Sequence, residues 1–124
     1  MNLNQITVPV KDVASSILFY ESIGLRLIVK ALPHYARFAC SNGTTFSVHH
    51  VIETPQGEGI WVYFEVDNLD DTVQALEAKG VVFESCPQDQ PWLWREASLK
   101  DPDGNHLILY HAGKNRLDPP WHLP

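Results

Sequence analysis

Four side chains in this sequence have the types needed to move a proton or to hold a small ligand by charge: His49, Glu65, Glu96 and Tyr110. An imidazole titrates near neutral pH, and a carboxylate beside it orients the ring or keeps it charged. Brought together, the set suits proton abstraction next to a carbonyl, with Glu65 or His49 as base and Tyr110 stabilising the oxyanion. His49 with Glu65 or Glu96 would instead suit a divalent ion. Glu65 stands out because it lies between Phe64 and Val66 on an otherwise apolar run, where a carboxylate needs a partner or water. The plainer reading makes Glu65 and Glu96 a wet surface and His49 a hydrogen-bonded strand residue. A second group is aromatic: Trp61, Tyr63, Trp92 and Trp94. Such rings suit a flat or cationic ligand through stacking and cation–π attraction, although large aromatics more often serve a core.

The elements that must position these residues are written twice. Val10-Lys11-Asp12-Val13 returns as Val66-Asp67-Asn68-Leu69; at that offset Ile17 meets Val73, Glu21 meets Glu77, Gly24 meets Gly80 and Leu27 meets Phe83. Ser41-Asn42-Gly43 then matches Pro102-Asp103-Gly104 at an offset larger by about five residues, implying an insertion in the second copy around Pro87 to Pro91. Two long copies mean a duplicated half-domain, since a solenoid needs several short ones.

In the first copy Ile6, Val8 and Val10 alternate with Gln5, Thr7 and Pro9, as a half-buried strand does. Asp12 caps a helix over residues 13–22 that Gly24 ends, and strands follow near 25–32, 35–40 and 44–51. The second copy predicts a strand over 60–66, a helix over 69–79, and strands near 81–84, 93–100 and 106–110. The turn before the last strand, Asp101-Pro102-Asp103-Gly104, is a strong hairpin signal. The fold class is therefore α+β, two βαβββ units: unit one over about 3–52, a linker at 53–59, unit two over about 60–112, and an extended tail at 113–124.

This duplicated plan, with Asp-Pro-Asp-Gly ahead of an alternating last strand, resembles the vicinal-oxygen-chelate superfamily of glyoxalases, bleomycin-resistance proteins and extradiol dioxygenases. The likeness spans residues 3–112. It implies a pseudo-twofold arrangement whose sheets curl round a shared cleft lined by strand residues. For the family's metal enzymes it implies ligands on the first and last strand of each unit, at positions that here hold Gln5, Trp61, Ser47 and Ile108. A glutamine carbonyl can bind a hard ion, but Trp61 and Ile108 cannot ligate and Ser47 is a poor donor. The two-histidine, one-carboxylate triad of an extradiol dioxygenase is missing from these positions. The expectation is thus no metal at the family positions and neither glyoxalase I nor extradiol dioxygenase activity. No cofactor is expected, a divalent metal displaced to His49 and a nearby glutamate being the exception.

Period-two alternation places Gln5, Thr7, Ser47, Trp61, Tyr63 and Ile108 on the implied cleft face with His49, Glu65 and Tyr110. On the strand before the turn, Trp94, Glu96 and Ser98 share that face while Ala97 and Leu99 enter the core. Residues 90–94, carrying Trp92, would form a loop covering the cleft. Two functions follow. One is a pocket of the bleomycin-resistance type that binds a small aromatic or cationic molecule without metal. The other is an isomerase or lyase working through His49, Glu65, Glu96 and Tyr110.

Composition narrows the partners. The net charge is −6, from 15 acids against 9 bases, which repels phosphate backbones and argues against nucleic acid. No apolar run approaches the ~20 residues of a membrane span, Met1 to Gln5 lack a basic leader, and Cys40 and Cys86 lack metal or redox spacing. These features predict a cytoplasmic protein with reduced thiols. The prolines of the tail predict an extended run that docks Trp121 on a second copy, making a homodimer.

Overall fold

In the computed structural model, which describes residues 1–124, both copies fold into the same series of elements. The first copy gives β1 (Gln5–Val10), α1 (Val13–Ser22), β2 (Arg26–Ala31), β3 (Tyr35–Ala39) and β4 (Thr45–His50). The second gives β5 (Trp61–Glu65), α2 (Leu69–Ala78), β6 (Ser85–Asp89), β7 (Arg95–Lys100) and β8 (His106–His111). Each set forms a four-stranded sheet, ordered β1-β4-β3-β2 and β5-β8-β7-β6. The first strand of each copy runs parallel to its last, and the remaining pairings are antiparallel. No helix is long and apolar enough to cross a membrane.

Local chemistry sets the helix ends. The Asp12 carboxylate accepts from the Ala14 and Ser15 amides at 3.0 and 3.4 Å, occupying donors that the first turn of α1 leaves unpaired. The Ser15 hydroxyl and amide together hold the Asp12 carboxyl below its ordinary range. Asn68 does the same for α2 through the Asp71 amide, and Asp70 and Asp71 favour the positive end of the helix dipole. Both helices stop at a glycine, Gly24 and Gly80, with φ of +108° and +96°.

The chain sorts into two compact units, Met1–Gly59 with Asp101–Asn105, and Ile60–Lys100 with His106–Pro124. The turn at 101–105, expected as part of a continuous second unit, therefore packs with the first. In the first unit Val8, Val10, Phe38, Phe46 and Val48 are buried, and the Tyr20 ring lies 4.6 Å from that of Phe46. The Tyr20 hydroxyl donates to Asp101 Oδ2 at 2.6 Å. Asn105 Nδ2 donates to the same oxygen at 2.7 Å, while the amides of Asp103 and Asn105 donate to Oδ1 at 2.9 Å each. Asn105 Nδ2 also reaches the Pro9 carbonyl, and the Lys11 amide donates to Asp103 Oδ1. Burial first, and then the Asp101 charge, push the Tyr20 phenol far above its ordinary value. The second unit buries Leu69, Val73, Leu76, Ala97, Leu99, Leu107 and Leu109.

Two expectations are corrected. Residues 81–84 carry no strand; β6 begins at Ser85 and runs through the stretch read as an insertion. Pro87 is tolerated there because β6 is the sheet's edge, and its register with β7 shifts between Ser85 and Gln88. Residues 90–94 do form a turn, joining β6 to β7. The tail, in turn, does not simply run extended. It opens as a 3-10 helix at Gly113–Arg116, closed by the Asp118 amide on the Lys114 carbonyl, and turns again at Pro119.

Removing the Tyr20 hydroxyl should expose the worth of the turn's anchor. A hydrogen bond to a charged group contributes about 1.5–3 kcal/mol, so Tyr20→Phe should lower the unfolding free energy by that amount in urea titration. A variant as stable as the parent would show that Asp101 does not need this donor.

Candidate functional site

Each sheet turns one face to its helix and core, and the other face carries the side chains of chemical interest. On the first unit's open face the register sets Gln5 beside Thr45 and Ala39, Thr7 beside Ser47 and Arg37, and Pro9 beside His49 and Tyr35. Thr45 Oγ1 donates to Gln5 Oε1 at 2.8 Å. The hydroxyls of Thr7 and Ser47 lie 2.6 Å apart, with Ser47 fully buried. Arg37 Nε donates to the Tyr35 hydroxyl at 2.9 Å. Burial alone would raise the Tyr35 phenol. Hydrogen bonding with Ser47, Arg37 and Gln5, aided by the guanidinium charge, outweighs it and takes the group below its ordinary value. His49 is exposed and makes no side-chain hydrogen bond.

The second unit's open face has different chemistry on the same frame. Its rows are Trp61, His106 and Lys100; Tyr63, Ile108 and Ser98; and Glu65, Tyr110 and Glu96. The Trp61 ring stacks on His106 at 5.3 Å. Trp94 stacks on Tyr110 at 4.7 Å, and Tyr63 meets both edge-on, at 5.9 Å from Trp94 and 5.5 Å from Tyr110. These T-shaped and stacked geometries match the ring quadrupoles. Burial, then the Glu96 charge, raises the Tyr63 phenol; burial, then the Glu65 charge, raises Tyr110, with Arg116 partly offsetting. Both therefore stay protonated donors well into alkaline solution. Trp92, half exposed on the β6–β7 turn, donates from Nε1 to Glu96 Oε2 at 2.6 Å.

Glu65 has found the partner its apolar strand demanded. Its Oε2 accepts from the Ala112 and Gly113 amides at 2.7 and 3.0 Å, and its Oε1 lies 3.6 Å from Arg116 Nε. The carboxylate thus caps the start of the 3-10 helix, and Trp94 Nε1 donates to the Asn115 carbonyl in the same segment. A carboxylate engaged in this way is poorly placed to act as a general base.

The expected residues divide between the units: Gln5, Thr7, Ser47 and His49 in the first; Trp61, Tyr63, Glu65, Trp92, Trp94, Glu96, Ile108 and Tyr110 in the second. Within the second, the structure joins Tyr63, Trp94 and Tyr110 into one ring cluster and leaves Glu96 tied to Trp92. The four positions at which a metal was implied do not make a donor set. Ile108 is buried and has no donor atom, Trp61 is engaged with His106, and the Ser47 hydroxyl is taken by Thr7. Within either unit, no three His, Cys, Asp or Glu side chains come together in one group.

Sequence reasoning passed over Tyr35 and Arg37. The signal was available, because they alternate on β3 with the buried Ala36 and Phe38. The engagement of Glu65 by Ala112, Gly113 and Arg116 had no such signal, since a 3-10 turn leaves little periodicity to read.

Comparison with known proteins agrees with this architecture. Residues 2–109 match the model of the glyoxalase/bleomycin resistance protein/dioxygenase superfamily. An uncharacterized protein of Bacillus subtilis, YraH, is 32% identical, the match covering 89% of this chain and 98% of that protein. A glyoxalase/bleomycin resistance protein/dioxygenase from Nocardioides superposes with a TM-score of 0.76 at 22% identity, over 90% of this chain and 83% of the other. A bleomycin-binding protein solved in complex with bleomycin gives a TM-score of 0.74 at 19% identity, over 90% and 98%. A lactoylglutathione lyase from Agrobacterium tumefaciens gives 0.74 at 16%, over 89% and 92%. At these identities the solved structures establish the fold.

The four tyrosines should separate in a tyrosinate absorbance titration. Tyr35 should ionise first, below the ordinary value of about 10, and Tyr35→Phe should remove that phase. Tyr20, Tyr63 and Tyr110 hold their protons more tightly when folded, so the stability they contribute is complete below that pH and is lost as pH rises through their shifted values. Tyr20 should ionise only with unfolding. An early phase that survives Tyr35→Phe would show that the β3–β4 network does not act on this phenol.

Proposed function

Since the chain belongs to the glyoxalase/bleomycin resistance protein/dioxygenase superfamily, we propose that it binds a small aromatic or cationic molecule on the open face of the second unit's sheet. The observation that carries this reading is the ring cluster of Tyr63, Trp94 and Tyr110, with Trp61 next to it. Trp61 and Tyr63 remain 49% and 41% exposed. Fully burying a large apolar side chain stabilises by about 1.5–3 kcal/mol; these rings are already half covered, so a flat ligand gains roughly half of that from each. Glu65 and Glu96 border the cluster, and their charge favours a cation over an anion there. The neutral, raised phenols of Tyr63 and Tyr110 add hydrogen-bond donors without adding charge. Bleomycin bound by a protein of the same fold supports a role in binding and leaves the ligand of this chain to be identified.

Turnover by proton abstraction is the weaker reading. Glu65 would have to leave two backbone amides and Arg116 before it could accept a proton from a substrate. Tyr110 retains the donor role that an isomerase or lyase would need, so the reading rests on a base other than Glu65.

Titration with the planar cation proflavine, followed by quenching of tryptophan fluorescence, tests the binding reading. Saturable quenching should be weakened about tenfold by Trp61→Ala, corresponding to roughly 1.4 kcal/mol, and by Tyr63→Ala. Glu65→Gln should leave the affinity within a few-fold. Absence of saturation, or equal affinity in Trp61→Ala, would reject the aromatic face as the site.

The homodimer belongs to the same proposal. Trp121 and Leu123 are exposed at 57% and 81%, and a second copy of the chain is the occupant that would cover them. Truncation after Leu117 spares Arg116 and should lower the mass seen by light scattering; an unchanged mass would remove this role from the tail.

A further inference from the structure

Arg37 is half-buried at the centre of β3, flanked in register by Ser47 on β4 and Val29 on β2. No carboxylate lies within ion-pair distance of it, whereas Arg95 engages Asp70 and Asp89, Lys100 engages Glu84, and Arg116 engages Glu65. A guanidinium drawn partly out of water needs compensation for its charge.

The geometry shows which part of Arg37 is unused. Its Nε–H is committed to the Tyr35 hydroxyl at 2.9 Å, and its guanidinium carbon sits 5.5 Å from the Tyr35 ring centroid. These two contacts lock the orientation of the guanidinium plane. The edge formed by the two terminal nitrogens has no partner in the protein. Such an edge presents two parallel N–H groups at the spacing of two oxygens on one carbon or phosphorus. Beside it stands the Tyr35 hydroxyl, which accepts from Arg37 Nε and can turn its own proton toward an anion.

We infer that Arg37, oriented by Tyr35 and flanked by Ser47, is a seat for the oxyanion of a small organic acid, a carboxylate or a phosphate monoester. The Tyr35 phenol is held below its ordinary value partly by Arg37 itself, and the same guanidinium would favour negative charge on a ligand oxygen placed nearby. This seat lies in the first unit, and its assignment does not depend on the aromatic face of the second. The arginine fork supplies charge and direction, and the Tyr35 hydroxyl supplies a further donor.

The test uses benzoate and phenyl phosphate as the two acids and benzamide as a neutral control, with backbone amide NMR shifts read at fixed ionic strength. Either acid should shift the amides of β3 and β4 saturably, with benzamide binding at least tenfold more weakly. The acid that binds tighter identifies the source of the oxyanion. Arg37→Gln should abolish the preference for the acid, Arg37→Lys should keep only part of it, and Tyr35→Phe should reduce affinity a few-fold. If Arg37→Gln fails to fold, the Arg37→Lys comparison carries the test, since it keeps the charge and removes the fork. Equal binding of benzamide and benzoate, shifts that Arg37→Lys leaves unaltered, or no saturable shift with either acid would overturn the assignment.

Discussion

A carboxylate buried as deeply as that of Asp101 is tolerable only because each oxygen is fully engaged. Tyr20 and the Asn105 amide group serve one oxygen, and the Asp103 and Asn105 backbone amides serve the other. This arrangement does more than satisfy a charge. The Tyr20 hydroxyl comes from the centre of the first unit's aromatic core, where its ring packs on Phe38 and Phe46. The turn at 101–105 is therefore fastened to α1 within the first unit. Removing Asp101 leaves the buried Tyr20 hydroxyl without its acceptor, whereas removing the hydroxyl leaves Asp101 with its three remaining donors.

The duplicated frame gives two sheets of one topology and two different surfaces. Core-facing positions in both are apolar, with rings at Tyr20, Phe38 and Phe46 in the first and leucines at Leu76, Leu99 and Leu107 in the second, because packing against a helix asks only for apolar volume. The open faces have no such demand and have diverged. The first carries hydroxyls, an amide and a guanidinium in a hydrogen-bonded mesh. The second carries rings at stacking and edge-on distances, with carboxylates along one end.

Membership of the superfamily establishes the scaffold and leaves the chemistry to individual side chains. The four positions that would ligate a metal hold a tryptophan, an isoleucine, a serine whose hydroxyl is already paired, and a glutamine whose side-chain oxygen accepts from Thr45. Glu65 shows the same distinction. Residue type and an apolar setting suggested a reactive group, while its actual partners are the first amides of a 3-10 helix. An apolar strand does force a carboxylate to find donors, but those donors can be the chain's own backbone.

The amino-acid sequence by itself determined the duplication, the helix caps and stops, the hairpin turn, and which residues of β1, β4, β5, β7 and β8 face the core. These depend on short-range rules: period-two alternation, Asx capping, and glycine where φ is positive. It also placed Trp61, Tyr63, Trp94 and Tyr110 on one face of one sheet, since strand pairing carries a local alternation across neighbours. It did not locate β6, because a proline within a strand is acceptable only at an edge, and edge position is a property of the assembled sheet. Nor did it reveal the distant partners of Asp101 or Glu65. Tyr20 and Asp101 are 81 residues apart, and Glu65 and Ala112 are 47 apart. Contacts at such separations are selected by how packed elements meet, which only the tertiary structure decides.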